Sequence, residues 1–425
     1  MIRKNTPTTK YKEVTCPFCS LLCDDLVIQN HDGKIKVEEN GCDKSIKFFE
    51  RPCTASPPQI KGKTVSIEEA IRHAAKIIRQ SKLPLIAGLG TDVSGMRSAM
   101  QLADRTGAIV DHMYSESAIR NIKVLQDHGW MMTTMAEIKN RADLIIFAGT
   151  NAIEEYPRFY ERVINNKSSL FNTGIKKREI IYIGDKLDKN KSANLQAGKS
   201  TVLQCKQDQI GEIIAVIHAL IVGNKLQHSS VAGIKLSILE NIAERMKTAK
   251  YGVIVWEPSK FDFPYAELTI QALSGVIKYL NRSTRFAGFT LGGNDGGVTA
   301  TNVSTWQCGY PLRVNFSNGF PEYDPHKYST ANVLKKKEVD SLIWISSFNS
   351  MISPPRAKIP TIVLAAPDAK PGYKPDVFIP TGTPGIDHAG HLFRTDNVIA
   401  LPLRQIRDNT LMSVNSILKK IISEL

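Results

Sequence analysis

The sequence has no stretch of roughly 20 consecutive apolar residues, which is the length that a membrane-spanning helix needs. Residues 1–7 contain no apolar segment that would form a signal peptide. Cysteine is also scarce, since five of the seven cysteines lie in residues 1–60 and only two follow. From these shortages we expect a cytoplasmic protein whose cysteines do not form disulfides.

Positive charge is in excess, but it is not concentrated. The formal net charge is +14, from 55 lysines and arginines against 41 aspartates and glutamates. The basic residues form only short runs, such as those at 176–178 and 335–337. A nucleic-acid-binding protein more often concentrates them beside stacking aromatic residues or in a recognisable module, and the sequence has neither. The diffuse charge indicates either association with acidic subunits or an acidic small molecule, or simply a lysine-rich solvated surface.

The length of 425 residues predicts more than one domain. Residues 1–60 are expected to form a small cysteine-rich unit. Two α/β regions follow, 61–248 and 249–425, and these are expected to be interleaved in sequence. Within the first unit, residues 26–37 predict a β-hairpin, because two alternating segments meet at Asp32-Gly33, a favoured tight turn.

Beyond residue 60 the fold class is predicted to be α/β with parallel sheets. Short apolar segments alternate with helical ones, which is typical of parallel sheets covered by helices on both faces. Ser66 and Glu69 form a capping box that begins the first helix, and further helices are predicted at 117–126 and 210–221. The predicted strands are 85–89, 144–148, 180–183, 253–256, 342–346, 361–364 and 377–379.

Four cysteines carry the strongest chemical signal. Cys16, Cys19, Cys23 and Cys42 have the spacing C-x2-C-x3-C-x18-C. Three thiolates from one tight loop and a fourth from elsewhere can surround an iron–sulfur cluster. Zinc sites more often pair two C-x2-C knuckles. The spacing alone leaves three alternatives: a [4Fe-4S] cluster, a zinc ion, or a site of either kind that is no longer filled.

The segment from Cys16 to Asp25, CPFCSLLCDD, resembles the N-terminal cluster domain of molybdenum and tungsten bis-pterin oxidoreductases. More narrowly, the chain resembles the B subunit of formylmethanofuran dehydrogenase. The resemblance continues through VLQD at 124–127, KNRAD at 139–143, TWQCGYP at 305–311 and residues 385–403. It implies a cluster domain followed by interleaved Rossmann-like domains, with a pterin between those domains and with separate small subunits.

The sequence departs from that family at the metal ligand. In the dehydrogenase a cysteine or selenocysteine holds the metal and a histidine follows it. Counting forward from Asp111 and back from Gln126 places Ser-Ala-Ile-Arg, residues 117–120, at this point. A serine oxygen can bind oxidised molybdenum or tungsten, but Ala118 can neither ligate a metal nor transfer a proton. The resemblance therefore implies that Ser117 stands at a lost ligand position and that no catalytic residue is retained.

The loops that hold the pterin depart from the family as well. The family's Gly-Cys-Asn-Pro is Gly-Thr-Asn-Ala at 149–152, and its Asp-Pro-Arg is Gly-Asp-Lys at 184–186. A lysine replaces an arginine fork suited to phosphate, and Asp185 adds a carboxylate where a phosphate would lie. We therefore expect no tungsten or molybdenum pterin and no cofactor-binding residue.

A chain that keeps this fold but lacks the metal ligand is similar to the B subunit of the bacterial formyltransferase/hydrolase complex of methylotrophs. The resemblance implies a non-catalytic, redox-inactive structural subunit. The complex transfers formyl from formyl-tetrahydromethanopterin to a methanofuran-type carrier and releases formate. Expected partners are an amidohydrolase-like A subunit, the C and D subunits, and a carrier with a polyglutamate tail. The alternatives are a catalytic tungsten or molybdenum formylmethanofuran dehydrogenase subunit and a basic nucleic-acid-binding protein.

Two further segments could bind a ligand. Residues 291–297, LGGNDGG, could surround one with backbone groups, although glycine runs are more often turns. Asp387, His388 and His391 combine a carboxylate with imidazoles, which suits either a metal ion or a packed loop. The remaining cysteines have no companion at ligand spacing and are expected to be packed thiols: Cys53, Cys205 and Cys308.

Overall fold

The structure is a computed structural model, and it describes residues 8–52, 56–165, 169–171, 178–185, 187 and 199–425. The chain divides into two compact units. Unit 1 comprises Met1–Glu116 and Gly293–Leu425, and unit 2 comprises Ser117–Gly292. Unit 1 is therefore discontinuous in sequence. The boundaries at residues 60 and 248 stay predictions.

The strands are named in chain order: β1 Thr9–Val14, β2 Leu26–His31, β3 Lys34–Glu39, β4 Gln59–Ile60, β5 Lys63–Thr64, β6 Pro84–Gly90, β7 Ile109–Val110, β8 Leu144–Ala148, β9 Glu179–Gly184, β10 Lys199–Gln204, β11 Ser230–Val231, β12 Ile234–Lys235, β13 Gly252–Trp256, β14 Phe286–Thr290, β15 Val314–Asn315, β16 Glu322–Tyr323, β17 Ser341–Ser346, β18 Thr361–Ala365, β19 Val377–Pro380, β20 Gly390–Phe393 and β21 Ala400–Leu403.

The α-helices are α1 Asp43–Phe49, α2 Ile67–Gln80, α3 Val93–Thr106, α4 Ser115–His128, α5 Met135–Arg141, α6 Ile210–Val222, α7 Leu236–Thr248, α8 Ala266–Leu280, α9 Gly297–Cys308, α10 Thr330–Lys335 and α11 Val414–Glu424. A π-helix covers Tyr160–Ile164, and 3-10 turns cover Gln207–Gln209 and Pro258–Lys260. No helix among the described residues has both the length and the apolar character needed to cross a membrane.

Unit 2 is built on a parallel sheet whose strand order is β10-β9-β8-β13-β14. This is the 3-2-1-4-5 order of Rossmann-like folds. All residues of β8 and β13 are buried, because helices cover both faces of the sheet. Helices α6, α7 and α8 pack against one face and contribute half of the buried residues of the apolar core there.

Unit 1 contains a larger mixed sheet, ordered β16-β15-β7-β6-β17-β18-β19-β4-β5. Its centre, from β7 to β19, is parallel, and short antiparallel strands extend both edges. The parallel part has the 2-1-3-4-5 order of flavodoxin-like sheets. Helices α2, α3 and α11 fill one face with apolar side chains. The antiparallel sheet β1-β2-β3 belongs to the same unit.

Local sequence signals predicted these elements well. The hairpin forms as predicted, and Asp32 and Gly33 have φ values of 51° and 78°, as a turn with two left-handed residues requires. Ser66 Oγ accepts a hydrogen bond of 3.1 Å from the Glu69 N–H and begins α2. The predicted strands and helices are all present, each with bounds within two residues of those observed.

A buried arginine connects the segments of unit 2 on one side of its sheet. Arg178 is 1% exposed, and burial lowers the pKa of its guanidinium. It donates hydrogen bonds to backbone carbonyls at the ends of α5 and of the π-helix, where helices leave carbonyls unpaired. These carbonyls belong to Ile138, Lys139, Ala142, Val163 and Ile164. Each carbonyl buried without a donor would cost about 1–3 kcal/mol.

Replacing Arg178 with Met should therefore destabilise unit 2 by about 3 kcal/mol or more, because the aliphatic chain fills the space but donates no hydrogen bond. Urea unfolding should show this as a lower transition midpoint. Arg285→Met, at an exposed arginine of the same unit, is the matched control and should change stability by no more than about 0.5 kcal/mol. Equal midpoints for the two variants would contradict this role of Arg178.

Candidate functional site

Ligands of doubly wound sheets bind at the carboxyl ends of the strands, at the point where the strand order reverses. In unit 1 this switch point lies between β6 and β17, and in unit 2 it lies between β8 and β13. The residues that follow these four strands therefore form the two candidate ligand edges. Each switch point lies within one unit, so its geometry is described from that unit alone.

The switch point of unit 1 is filled by the chain itself. Asp92, 2% exposed, begins α3, and its Oδ1 accepts a hydrogen bond of 3.0 Å from the Gly95 N–H. The backbone N–H and the hydroxyl of Ser347 both donate to the carbonyl of Gly90 at 2.7 Å. Gly296 lies so close that a Cβ there would be 2.6 Å from the carbonyl oxygen of Thr91. The Asp92 carboxylate caps the N-terminus of α3, where a phosphate would otherwise bind.

His112 holds the glycine-rich segment next to this switch point. Its Nδ1 accepts a hydrogen bond of 3.0 Å from the Tyr114 N–H, and its Nε2 lies 3.3 Å from the carbonyl oxygen of Asp295. Burial lowers the pKa of His112 to about 4, so the ring is neutral and its Nε2–H donates to Asp295. A Cβ on Gly297 would lie 3.3 Å from the ring. Residues 293–297, the part of this segment that lies in unit 1, therefore form a fixed turn, which is the more frequent role of glycine runs.

The cysteine loop lies between β1 and β2. The Cys16 N–H donates to the Cys23 carbonyl at 2.8 Å and closes the loop. Cys16, Cys19 and Cys23 are buried, and Cys42, half-buried, directly precedes α1. The centre of the loop is held by residues far along the chain. The Ser20 N–H donates to Asn294 Oδ1 at 3.1 Å, and the Ser20 carbonyl accepts from the Thr395 N–H at 2.8 Å.

The structure brings the four predicted cysteines near one another. Burial raises the pKa of the Cys16 thiol well above its ordinary value, and the neighbouring thiols of Cys19, Cys23 and Cys42 raise it further. A hydrogen bond from the Phe18 backbone N–H to the Cys16 sulfur acts in the opposite direction. Such N–H donors stabilise a thiolate and are one of the means by which proteins tune iron–sulfur sites.

The spacing of this group bears on which metal would fit. Four sulfurs around one zinc ion lie about 3.8 Å apart, since Zn–S bonds are about 2.3 Å long. Among the described residues, no three histidine, cysteine or acidic side chains converge at the spacing of a single ion. The loop also contains Ser20 Oγ, a buried hydroxyl without a hydrogen-bond partner in the described chain. Within the same loop, the ring of Phe18 stacks on the ring of Phe48 in α1. The three alternatives from the sequence, an iron–sulfur cluster, a zinc ion and an unfilled site, therefore stay predictions.

A second buried carboxylate stands at the switch point of unit 2. Glu257 directly follows β13 and is 2% exposed. Thr150, which follows β8, donates its hydroxyl to Glu257 Oε2 at 2.9 Å. Ser259 donates its hydroxyl to Oε1 at 3.0 Å. Burial raises the pKa of Glu257, and the two hydroxyls and Lys260 act in the opposite direction.

The rest of this switch point is closed too. A Cβ on Gly149 would lie 2.5 Å from the Phe261 ring, and the Gln207 amide donates to the Gly149 carbonyl at 2.8 Å. Three backbone N–H groups of this loop already have acceptors. Those of Gly149, Ala152 and Ile153 donate to Ile183 O, Thr150 Oγ1 and Asn151 Oδ1.

These residues do not fit the diphosphate of a pterin nucleotide. A phosphate group needs free donors and positive charge, whereas each switch point contains a buried carboxylate that accepts hydrogen bonds from its surroundings. Asp185, after β9, adds an exposed carboxylate. Lys186 and Cys53 lie outside the described residues, so the predictions made for them have no structural counterpart.

Residues 117–120 form the first turns of α4. Ser117 and Ala118 are half-buried, and Arg120 donates to the Pro258 carbonyl at 2.9 Å and to Asp262 Oδ1 at 3.2 Å. One turn later, Asn121 accepts a hydrogen bond of 2.9 Å from Trp256 Nε1 and fixes the helix on the sheet. These residues present neither thiol nor imidazole. The assignment of Ser117 to the lost ligand position stays a prediction.

The Asp387 segment is a packed loop. Asp387 is buried, and its Oδ1 accepts from Arg407 Nε at 2.9 Å and from Asn409. Its Oδ2 accepts from the Thr383 N–H at 2.8 Å. This carboxylate is therefore fully used within the fold. Cys205 is buried in the core of unit 2 and Cys308 is half-buried, with its thiol donating to a carbonyl of its own helix.

Asp92 and Glu257 were not singled out from the sequence. Each is an acidic residue within two positions of the carboxyl end of an apolar strand. Such positions form the ligand edge of a parallel sheet, so this signal was available. The hydroxyl partner Thr150 is far from Glu257 in sequence and could be identified only from the fold.

Curated relatives resemble the chain along most of its length, although no family model matches it. It is 27% identical to the B subunit of tungsten-containing formylmethanofuran dehydrogenase 2 of Methanocaldococcus jannaschii, over 93% of this chain and 94% of that protein. It is also 27% identical to the B subunit of the formyltransferase/hydrolase complex Fhc of Methylorubrum extorquens. This second match covers 79% of this chain and 87% of the relative.

Solved structures give the fold. A chain of the formyltransferase/hydrolase complex FhcABCD from Methylorubrum extorquens, crystallised with methylofuran, superposes with a TM-score of 0.73 and 24% identity. This match covers 86% of the present chain and 98% of the other. Acetylene hydratase from Pelobacter acetylenicus matches with a TM-score of 0.63 and 11% identity, over 97% and 69% of the two chains. The chain is thus similar along most of its length to the B subunits of formylmethanofuran dehydrogenase and of the Fhc complex, and it has the molybdopterin oxidoreductase fold.

Proposed function

We propose that this chain is a non-catalytic, redox-inactive structural subunit of a cytoplasmic formyltransferase/hydrolase complex. The complex would move a formyl group from formyl-tetrahydromethanopterin to a methanofuran-type carrier and release formate. Homology to the Fhc B subunit and structural similarity to a chain of the Fhc complex support this assignment. The expected partners are an amidohydrolase-like A subunit and the C and D subunits.

One observation carries the loss of redox chemistry. Both switch points of the pterin-type fold are closed by the chain and contain a buried carboxylate, Asp92 in unit 1 and Glu257 in unit 2. A pterin diphosphate placed there would meet like charge in a dry site. In addition, residues 117–120 supply no soft metal ligand and no group for proton transfer. No step of a redox reaction is therefore assigned to this chain.

The dehydrogenase subunit is the second candidate, and two specific observations favour it. The relative from Methanocaldococcus jannaschii matches 93% of this chain, against 79% for the Fhc B subunit. The chain also has four cysteines at cluster spacing. Cys16, Cys19, Cys23 and Cys42 would hold a [4Fe-4S] cluster. Such a cluster supplies one-electron transfer, and in a structural subunit it would instead brace the loop that contacts Asn294 and Thr395.

The diffuse positive charge of the chain has a place in this proposal. A methanofuran-type carrier with a polyglutamate tail is a polyanion, and exposed lysines and arginines along its path could hold the tail. Each exposed pair would contribute about 0–1 kcal/mol. Several such pairs would add up, and salt would weaken them.

Metal analysis separates the two candidates. The complex purified without oxygen should contain no stoichiometric tungsten or molybdenum, because the ligand position and both phosphate positions are lost. Mass spectrometric metal analysis per mole of chain measures this directly. About one tungsten or molybdenum atom per chain would establish the dehydrogenase function instead.

Iron content tests the cysteine group. Chain purified without oxygen should contain iron and sulfide, and Cys16→Ser should remove both, because a hydroxyl replaces a buried thiolate ligand. Cys308→Ser is the matched control at a half-buried thiol outside the loop, and it should keep the iron. Zinc in place of iron would show that the four cysteines form a zinc site. A chain that contains neither iron nor zinc would show that the site is unfilled.

Reconstitution tests the structural role. The isolated chain should not act on formyl donors, whereas a complex lacking it should lose formyl-hydrolysing activity because the A subunit becomes unstable or inaccessible to the carrier. The measurements are the rate of formate release and the melting temperature of the A subunit. A and D subunits that work at the full rate alone would show that this chain is dispensable.

A further inference from the structure

Glu257 has an environment that ordinary packing does not explain. Its carboxylate is buried at the carboxyl end of β13, and a hydroxyl donates to each oxygen, at 2.9 Å from Thr150 and 3.0 Å from Ser259. A charged group is seldom buried in this way unless it is paired. The two donors come from opposite sides of the switch point, since Thr150 follows β8 and Ser259 follows β13.

The donors are oriented to receive a negative charge. Thr150 Oγ1 accepts a hydrogen bond of 2.9 Å from the Ala152 N–H, which leaves its own proton for Glu257. Lys260 acts as a positive charge on Glu257 while pairing with Glu154 at 3.2 Å. Glu155 has the same charge as Glu257 and acts against the effect of Lys260 by raising the pKa of Glu257. Two directed hydroxyls with a nearby ammonium are a recognition set for a carboxylate.

We infer that the switch point of unit 2 is a carboxylate-binding site and that Glu257 is its permanent intramolecular ligand. The position where related folds bind an external anion is here filled by a side chain of the same unit. The surrounding contacts limit the size of any other ligand. The Phe261 ring and the Gln207 side chain both lie so close to Gly149 that not even a Cβ would fit there, and we therefore expect the position to accept a small carboxylate but not a diphosphate. This inference does not depend on the proposed function.

Chemical rescue tests it. Glu257→Ala removes CH2–COO⁻, a group with the size and charge of acetate, and leaves the buried hydroxyl of Thr150 and the hydroxyl of the exposed Ser259 without this acceptor. The melting temperature of the full-length variant should fall, because unpaired buried donors are costly. Sodium acetate or formate should then raise it by several degrees above sodium chloride of equal ionic strength. The effect should saturate, as expected for binding to the folded state alone. Pyrophosphate should act no better than chloride.

Glu154→Ala is the matched control, because it removes the exposed carboxylate that pairs with Lys260 and leaves the buried site intact. Neither this variant nor the unchanged chain should respond to acetate beyond the chloride effect. Should Glu257→Ala fail to fold during expression, its refolding yield from urea in acetate against chloride gives the same answer. An equal response of Glu257→Ala to acetate and chloride, in both melting and refolding, would overturn the inference. So would rescue that persists when Thr150→Val and Ser259→Ala are added.

Discussion

A buried carboxylate at each point of strand reversal is the constraint on which the rest of the chemistry depends. Asp92 and Glu257 lie at the position where doubly wound sheets ordinarily bind a phosphate or a nucleotide. A carboxylate there lowers the local potential and takes up the donors that an anionic cofactor would need. Both groups are satisfied within their own unit, Asp92 by the start of α3 and Glu257 by two hydroxyls. The fold that pterin enzymes share is thus combined here with a carboxylate at each ligand edge.

Local features of the fold could be predicted from the sequence because they depend on neighbouring residues. The hairpin follows from Asp32-Gly33, the start of α2 from Ser66, and each buried strand from a short apolar segment with turn residues around it. Parallel sheets followed from the alternation of strands and helices. The division into units was less accessible, since nothing near residues 116 and 293 distinguishes the chain entering unit 2 from the chain leaving it.

The candidate site was predicted only in part, for the same physical reason. The four cysteines lie close in sequence, so their spacing indicated that the thiols converge. The hydrogen bond that Ser20 donates to Asn294 and the one that it accepts from Thr395 join residues hundreds of positions apart and have no local signal. The partners that the structure describes for Arg178 are backbone carbonyls, and a search for charge pairs does not find an arginine of this kind. Long-range polar contacts became visible only with the topology.

Because unit 1 is discontinuous in sequence, its two segments are synthesised at different times. The first part of its sheet leaves the ribosome long before Gly293–Leu425, and all of unit 2 is synthesised in between. At ordinary translation rates this delay is on the order of ten seconds or more. During that time β6 lacks its neighbour β17, and the cysteine loop lacks Asn294 and Thr395. Unit 2 can therefore close first, before the residues that complete the hydrogen bonds of the cysteine loop have been made.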